Sequence, residues 1–219
     1  MKIGIAILNW NGLNLLKSHL KEVVSKSNNS CVYIIDNNSS DGSVKYVRDN
    51  FPEVKIISLD KNYGFAGGYN KGLKAVTEDL ICIMNNDIEV TSNWLDPIRE
   101  IFSEKPNSII QPTIMDLNNK QYFEYAGASG GFIDKYGYPF CRGRIFKTVE
   151  KNNGQYIDSK IFWASGACMF LQKKQFFELG GFDERFFAHM EEIDLCWRAF
   201  NSGIDCLASS NSIVYHIGA

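Results

Sequence analysis

A regular alternation of short apolar runs with helical patterns constrains this chain more than any other feature. Residues 3–8, 32–35, 55–59, 80–84 and 109–114 are strand-like: brief, rich in aliphatic side chains and bounded by polar residues. Between the first two, residues 13–24 carry Leu13, Leu16, Leu20, Val23 and Val24 on one helical face. Residues 43–50, 67–76 and 94–102 continue the helical pattern, and Pro52 and Pro106 stop two of these segments. Short apolar strands separated by helices predict βαβ units and a parallel sheet covered on both faces. The expected fold class is therefore α/β, a Rossmann-like, mostly parallel sheet flanked by helices. Such sheets bind ligands at the carboxyl ends of their strands.

The rhythm breaks after about Asp116. Residues 117–160 are rich in Asn, Gly, Tyr and Lys with weak periodicity, and read as long loops with a hairpin around 127–133 that serves as a flap. Order returns with a strand at 167–171, helices at 174–179 and 191–202, and a final strand at 213–216. No repeat or linker interrupts the chain, so residues 1–219 are expected to form one domain. The sequence stops three residues after His216 without a closing helix, which leads us to expect a C-terminal truncation.

Composition narrows the partners. Lys and Arg number 23 against 25 Asp and Glu, for a net charge of −2, which argues against nucleic acid held by bulk charge. The longest apolar runs, 80–84 and 167–171, fall far short of the roughly 20 residues that span a bilayer. No basic leader with a small-residue cleavage site precedes the first strand, so no signal peptide is expected. The six cysteines contain no CxxC pair and are expected to be reduced and mostly buried, as in a cytosolic protein.

Three polar loops end strands: Asn9 to Gly12, Asp36 to Gly42, and Asn85-Asn86-Asp87. Each alone reads equally well as a turn or helix cap. Asp36 is placed to accept hydrogen bonds from a base N–H or a ribose hydroxyl, with Asn38 and Ser39 free to cap the next helix. The glycine-rich run from Gly64 to Gly72, which includes Gly67 and Asn70, opens a helix where backbone can approach a diphosphate. It is neither GxGxxG nor a Walker A loop. Asp87, with amide neighbours, can hold Mg²⁺ or Mn²⁺ shared with phosphates, and His216 can add a nitrogen ligand. Farther on, Glu191 and Glu192 project from a helix's first turn, where the dipole favours their charge, and Asp194 pairs with Arg198 at i, i+4. One of these glutamates suits a general base. Trp163 and Trp197 can offer a sugar-stacking face, or simply pack in the core.

These segments, in this order, resemble the family 2 glycosyltransferases of GT-A fold, and particularly the bacterial rhamnosyltransferase-like branch. The resemblance runs from Ile7-Leu8-Asn9-Trp10-Asn11-Gly12 through Asp36–Gly42, Asn62–Asn70, Asn85–Asp87, Gly180–Glu184 and Glu191–Leu195 to His216. It implies inverting transfer of a sugar from a UDP- or dTDP-linked donor to a hydroxyl of a glycan or lipid-linked acceptor. Residues 1–115 would form the nucleotide-sugar half and 116–219 the acceptor-side half. Asn9, Asn11, Asp36, Asn38, Gly67, Asn70, Asn85 and Asp87 would bind the donor, with a divalent metal on Asp87 and His216. Glu192, or else Glu191, would be the base, and Trp163, Gly166 and Asp194 would lie on the acceptor side. The family element usually reads Glu-Asp-x-Asp, here Glu-Glu-Ile-Asp, and Asn85 replaces a customary Asp. The implied location is the cytoplasm at the inner membrane face, with peripheral association through the missing C-terminal region. Competing readings are a nucleotide-sugar or glycan-binding module without turnover, and a nucleotidylyltransferase, for which the basic glycine-rich loop is missing.

Overall fold

The computed structural model describes residues 1–186 and 189–218. In chain order the elements are β1 (Ile3–Asn9), α1 (Leu13–Lys26), β2 (Ser30–Asp36), α2 (Ser43–Asn50) and β3 (Lys55–Ser58). They continue with α3 (Gly64–Gly72), β4 (Leu80–Met84), β5 (Ile88–Val90), α4 (Asp96–Glu104) and β6 (Ser108–Asp116). Residues beyond β6 add β7 (Gly131–Ile133), β8 (Pro139–Cys141), β9 (Arg144–Ile145), β10 (Thr148–Val149) and β11 (Ser159–Ile161). Last come β12 (Cys168–Gln172), α5 (Lys173–Glu178), α6 (Glu191–Asn201) and β13 (Asp205–His216).

Side-chain alternation along β1 explains the layering. Ile3, Ile5 and Ile7 enter one core with Leu16, Leu20 and Val23 of α1, while Ala6 enters the other with Tyr69 and Leu73. A strand buried on both faces has no polar side to show, hence its continuous apolar run. Full burial of each large aliphatic side chain contributes about 1.5–3 kcal/mol.

The main sheet runs β11-β13-β6-β12-β4-β1-β2-β3, with β5 also paired to β13. Strands β3, β2, β1 and β4 are parallel. Beyond them β12 is antiparallel to both β4 and β6, so the expected parallel character holds for the first half and changes at β12. Strand β13 runs parallel to β6 but antiparallel to β5 and β11.

Several boundaries differ from expectation. The final strand begins at Asp205, not near residue 213, and its register against β6 shifts between Ser209 and Ile213. Its polar residues disguised it: Ser209 and Ser212 are buried, and Ser212 Oγ donates to the Trp94 carbonyl. The hairpin lies at β7–β8, a few residues later than expected. Helix α3 starts at Gly64 and gives way to a 3-10 turn at Leu73–Ala75. All six cysteines are free, and all but Cys31 are buried. No helix among the described residues is long and apolar enough to cross a membrane.

Candidate active site

The tips of β1, β2 and β4 are laced together by amides. Asn9, fully buried, donates to Ser39 Oγ at 3.2 Å and accepts from Asn86 Nδ2 at 3.0 Å. Asn11, in the left-handed region at φ 49°, accepts from the Ser40 N–H, and its own N–H donates to Ser39 Oγ. Asn38 is also left-handed and exposed. The capping expected of Asn38 and Ser39 belongs to Asp41, whose carboxylate accepts the N–H groups of Leu13 and Ser43 at the starts of α1 and α2. Asp36 is 3% exposed; its Oδ2 accepts the Ser39 N–H, while Oδ1 is buried without a partner. A buried carboxylate oxygen with an unused lone pair is a strong acceptor for an incoming N–H.

The glycine-rich run serves packing. A Cβ on Gly68 would lie 2.7 Å from Leu8 Cδ1, and one on Gly72 would lie 2.5 Å from Ile35 Cγ2, so these glycines let α3 sit close on the sheet. Gly67 is buried. At the helix start, the N–H groups of Tyr63 and Gly64 already donate to Asn37 and Asn62, so the anion site expected there is partly filled by amide oxygens. Asn70 braces a distant turn: Nδ2 donates to the Phe182 carbonyl and Glu184, and Oδ1 accepts the Phe182 N–H.

A cavity of about 230 Å³ opens beyond β4 and is lined by Phe65, Asn85, Glu124, Gly166, Glu192 and His216, among others. On one wall His216 Nε2 lies 3.1 Å from Asp87 Oδ1 and 3.3 Å from Asn85 Nδ2. On its other side, Nδ1 is buried without a hydrogen bond, with Glu124 Oε1 at 3.8 Å. Burial lowers the affinity of this imidazole for a proton, but the hydrogen bond to Asp87 and the charges of Asp87 and Glu124 outweigh it and push its pKa up to about 9. Glu124, 3% exposed, is held by the N–H groups of Ala126 and Gly127. The sequence reading missed it. Its signal was an acidic residue enclosed by Phe123 and Tyr125 just before the small residues 126–131.

Another stretch of the cavity wall carries Glu191 and Glu192 at the start of α6, behind two successive left-handed residues, His189 and Met190. Here burial outweighs the helix dipole. Desolvation, together with the neighbouring charge of Glu191, raises the Glu192 carboxyl to about 7, and burial raises Glu191 too. One oxygen of each is buried without a hydrogen-bond partner. Gly166 faces this wall: a Cβ there would lie 3.6 Å from Glu192 Cβ. The wall is braced by Gln111, which accepts from the Ser165 N–H and donates to the Gly127 carbonyl.

Two residues expected on the acceptor side have structural partners. Trp163 is 4% exposed, and its indole N–H donates to the Phe132 carbonyl, so it packs in the core and offers no stacking face. Asp194 forms the expected pair with Arg198 at 2.6 Å, and Arg198 in turn donates to the Gly181 carbonyl. That pair buttresses the 180–184 turn and does not line the cavity.

Among the described residues no group of three or more His, Cys, Asp or Glu is arranged to hold a metal. The Asp87–His216 pair nonetheless fits a cation that takes its remaining ligands from phosphates and water. A carboxylate oxygen and an imidazole nitrogen 3.1 Å apart match the edge, about 3.0 Å, of an octahedron with bonds near 2.1 Å.

A curled mixed sheet with helices on both faces and a polar site at its strand tips defines the GT-A class of nucleotide-sugar folds. The likeness extends to solved structures. The crystal structure of GalNAc-T7 with UDP, GalNAc and Mn²⁺ matches 99% of this chain and 44% of that one at TM-score 0.79 and 17% identity. S. aureus TarS 1-349 in complex with UDP-GlcNAc matches 98% and 58% at TM-score 0.70 and 12% identity. The sequence profile of glycosyl transferase family 2 matches residues 5–178, and the chain belongs to that family. It is 24% identical over 203 residues to the N-acetylglucosaminyl-diphospho-decaprenol L-rhamnosyltransferase of Mycobacterium tuberculosis, covering 84% of this chain and 66% of the relative. It is 23% identical over 208 residues to the low-salt glycan biosynthesis hexosyltransferase Agl10 of Haloferax volcanii, covering 93% and 63%. The chain thus spans just under two thirds of the length of these relatives.

Proposed function

We propose that the protein transfers a hexosyl or deoxyhexosyl group from a nucleoside-diphosphate sugar to a hydroxyl of a glycan or lipid-linked saccharide, inverting the anomeric centre. The rhamnosyl- and hexosyltransferase relatives support the sugar and acceptor classes. The observation that carries the reading is a single cavity lined both by His216, which contacts Asp87, and by Glu192, whose carboxyl is tuned to about 7.

On the donor side, the unpartnered Asp36 Oδ1 accepts an N–H of the base, and the amide lacework of Asn9, Asn86 and Ser39 holds the strand tips in register around it. Asn11 and Asn38 border the same loop, and Asn85 lies near the ribose. Asp87 and His216 are the residues that would hold Mg²⁺ or Mn²⁺. A cation held there would supply charge neutralisation for the departing diphosphate. Glu192 takes the proton of the acceptor hydroxyl as its oxygen attacks the anomeric carbon, and the bond to the diphosphate oxygen breaks on the opposite face. Its raised pKa suits this work, since a base that titrates near the working pH is strong enough to accept the proton and still substantially ionised. Glu191 adds negative charge beside it and so sustains that pKa.

The test is Glu192→Gln, assayed with UDP- and dTDP-sugars and a saccharide acceptor. Donor binding is retained, and turnover falls by about 10²–10⁴. Full turnover in this variant overturns the base assignment, and donor binding without sugar release in the native chain overturns the transfer reading.

A further inference from the structure

Beyond the cavity, four strongly exposed apolar side chains among the described residues gather on the hairpins at residues 134–147. Asp134 Oδ1 accepts the N–H groups of Tyr136 and Tyr138, closing a tight turn between β7 and β8 that leaves both rings in solvent, 74% and 71% exposed. The following hairpin carries Ile145 and Phe146, 65% and 89% exposed, at its tip between β9 and β10. Phe146 adopts the left-handed region at φ 52°, which a bulky aromatic rarely occupies, and no burial of the ring offsets it. Strands β8 and β9 pack together, so the two tips belong to adjoining hairpins.

Cations interleave with these rings. Lys135 Nζ lies 4.8 Å from the Tyr136 ring centroid, and the Arg144 guanidinium lies 4.0 Å from that of Tyr125. The ion pairs among the described residues use neither Lys135 nor Arg144 nor Lys147. Residues 125–151 hold five cations (Lys135, Arg142, Arg144, Lys147 and Lys151) against two carboxylates (Asp134 and Glu150), in a chain of net charge −2. One of those carboxylates, Asp134, is already engaged by backbone N–H groups.

A protein partner is bound through a continuous, well-packed face from which water is excluded. Separate rings on projecting hairpin tips, beside lysines with no carboxylate partner, fit a different medium. At a bilayer surface, aromatic side chains settle among the headgroups while lysines extend their ammonium groups to anionic phosphates. We propose that the 134–147 surface docks the protein on an anionic lipid bilayer, with Tyr136, Tyr138, Ile145 and Phe146 entering the headgroup layer and Lys135 and Lys147 meeting lipid phosphates. Tyr125, whose ring lies under the Arg144 guanidinium, stands in the chain between Glu124 and Ala126 of the cavity wall.

The inference goes beyond the transfer reaction and is tested without donor or acceptor. The native chain is sedimented with vesicles of phosphatidylglycerol and phosphatidylcholine, and with vesicles of phosphatidylcholine alone. Binding is expected to the anionic vesicles only, and to fall with added salt. Replacing both lysines (Lys135→Gln with Lys147→Gln) weakens it about 30-fold. Replacing two rings (Tyr136→Ser with Phe146→Ser) weakens it roughly tenfold or more. These positions are exposed, so circular dichroism and melting are expected to be unchanged, as is transfer to a water-soluble acceptor. Failure of the native chain to bind anionic vesicles overturns the proposal, as does undiminished binding by the ring variant. Concentration-dependent dimerisation abolished by Phe146→Ser also overturns it, in favour of a second copy. A transfer assay that fails while vesicles bind counts against the catalytic reading alone.

Discussion

His216 Nε2 and Asp87 Oδ1 lie 3.1 Å apart although one ends β13 and the other follows β4. The contact exists because β13 pairs with β5, placing His216 opposite Ile88, the residue after Asp87. In the proposed metal site each side chain depends on the other. Asp87→Asn or His216→Gln should therefore weaken Mn²⁺ binding at least tenfold, read by electron paramagnetic resonance of free Mn²⁺ without any substrate. Nucleotide affinity in the absence of metal should stay near native. Unchanged Mn²⁺ affinity in both variants would remove the metal from this pair.

Glu192 links activity to stability. In the unfolded chain its carboxyl titrates near 4.5, and in the folded chain at about 7. The folded state therefore holds the extra proton between these values, and stability falls as pH rises through that window. Glutamine has no proton to lose. At pH 8, Glu192→Gln should melt higher than the native protein, by up to about 3 kcal/mol in unfolding free energy, with no such gain at pH 4. The same variant should be the inactive one. Equal melting at both pH values would mean that the carboxyl is not tuned by burial.

Asn70 spends its amide on the 182–184 turn. Its truncation to Ala strands the Phe182 backbone groups and should cost about 1–3 kcal/mol in a urea melt. Nucleotide affinity of the folded variant should change by less than about threefold. A large loss of affinity at native stability would return Asn70 to the donor site.

Gly131 has no room for a side chain, since a Cβ there would overlap the Trp163 indole. The Gly131 carbonyl also accepts the Phe162 N–H, and its N–H donates to the Trp163 carbonyl. Overpacking at a backbone contact costs typically about 1–3 kcal/mol and sometimes more. Gly131→Ala should lower the melting temperature clearly, whereas Gly137→Ala, with nothing within 4 Å but a left-handed φ of 90°, should cost only about 1 kcal/mol.

The parallel half was legible because β1, β2 and β4 are buried on both faces and advertise it as unbroken apolar runs. Direction was not legible: β12 reads like its neighbours, and only the chain's route makes it antiparallel. Strand β5 is three residues long, and the middle of β13 is polar, with Ser210 and Ser212 bonded to loop residues. In the site, residues at strand tips announced themselves as Asn and Asp in turns. Glu124 and Gln111 did not, because their partners are backbone groups of segments distant in sequence or irregular in form. Glycine content at α3 pointed toward phosphate, whereas close helix–sheet packing accounts for Gly68 and Gly72.

The register shift between Ser209 and Ile213 has a kinetic consequence. Strand β13 must align with β6 on both sides of that shift before His216 reaches Asp87. Contacts between segments so remote in sequence close late, after the loop-closure entropy of the intervening chain has been met. In refolding, the four-stranded parallel unit should recover its helical and strand signals first. If the proposed site binds Mn²⁺, that binding should return in a slower phase, which would make the ion a reporter of the last alignment to form.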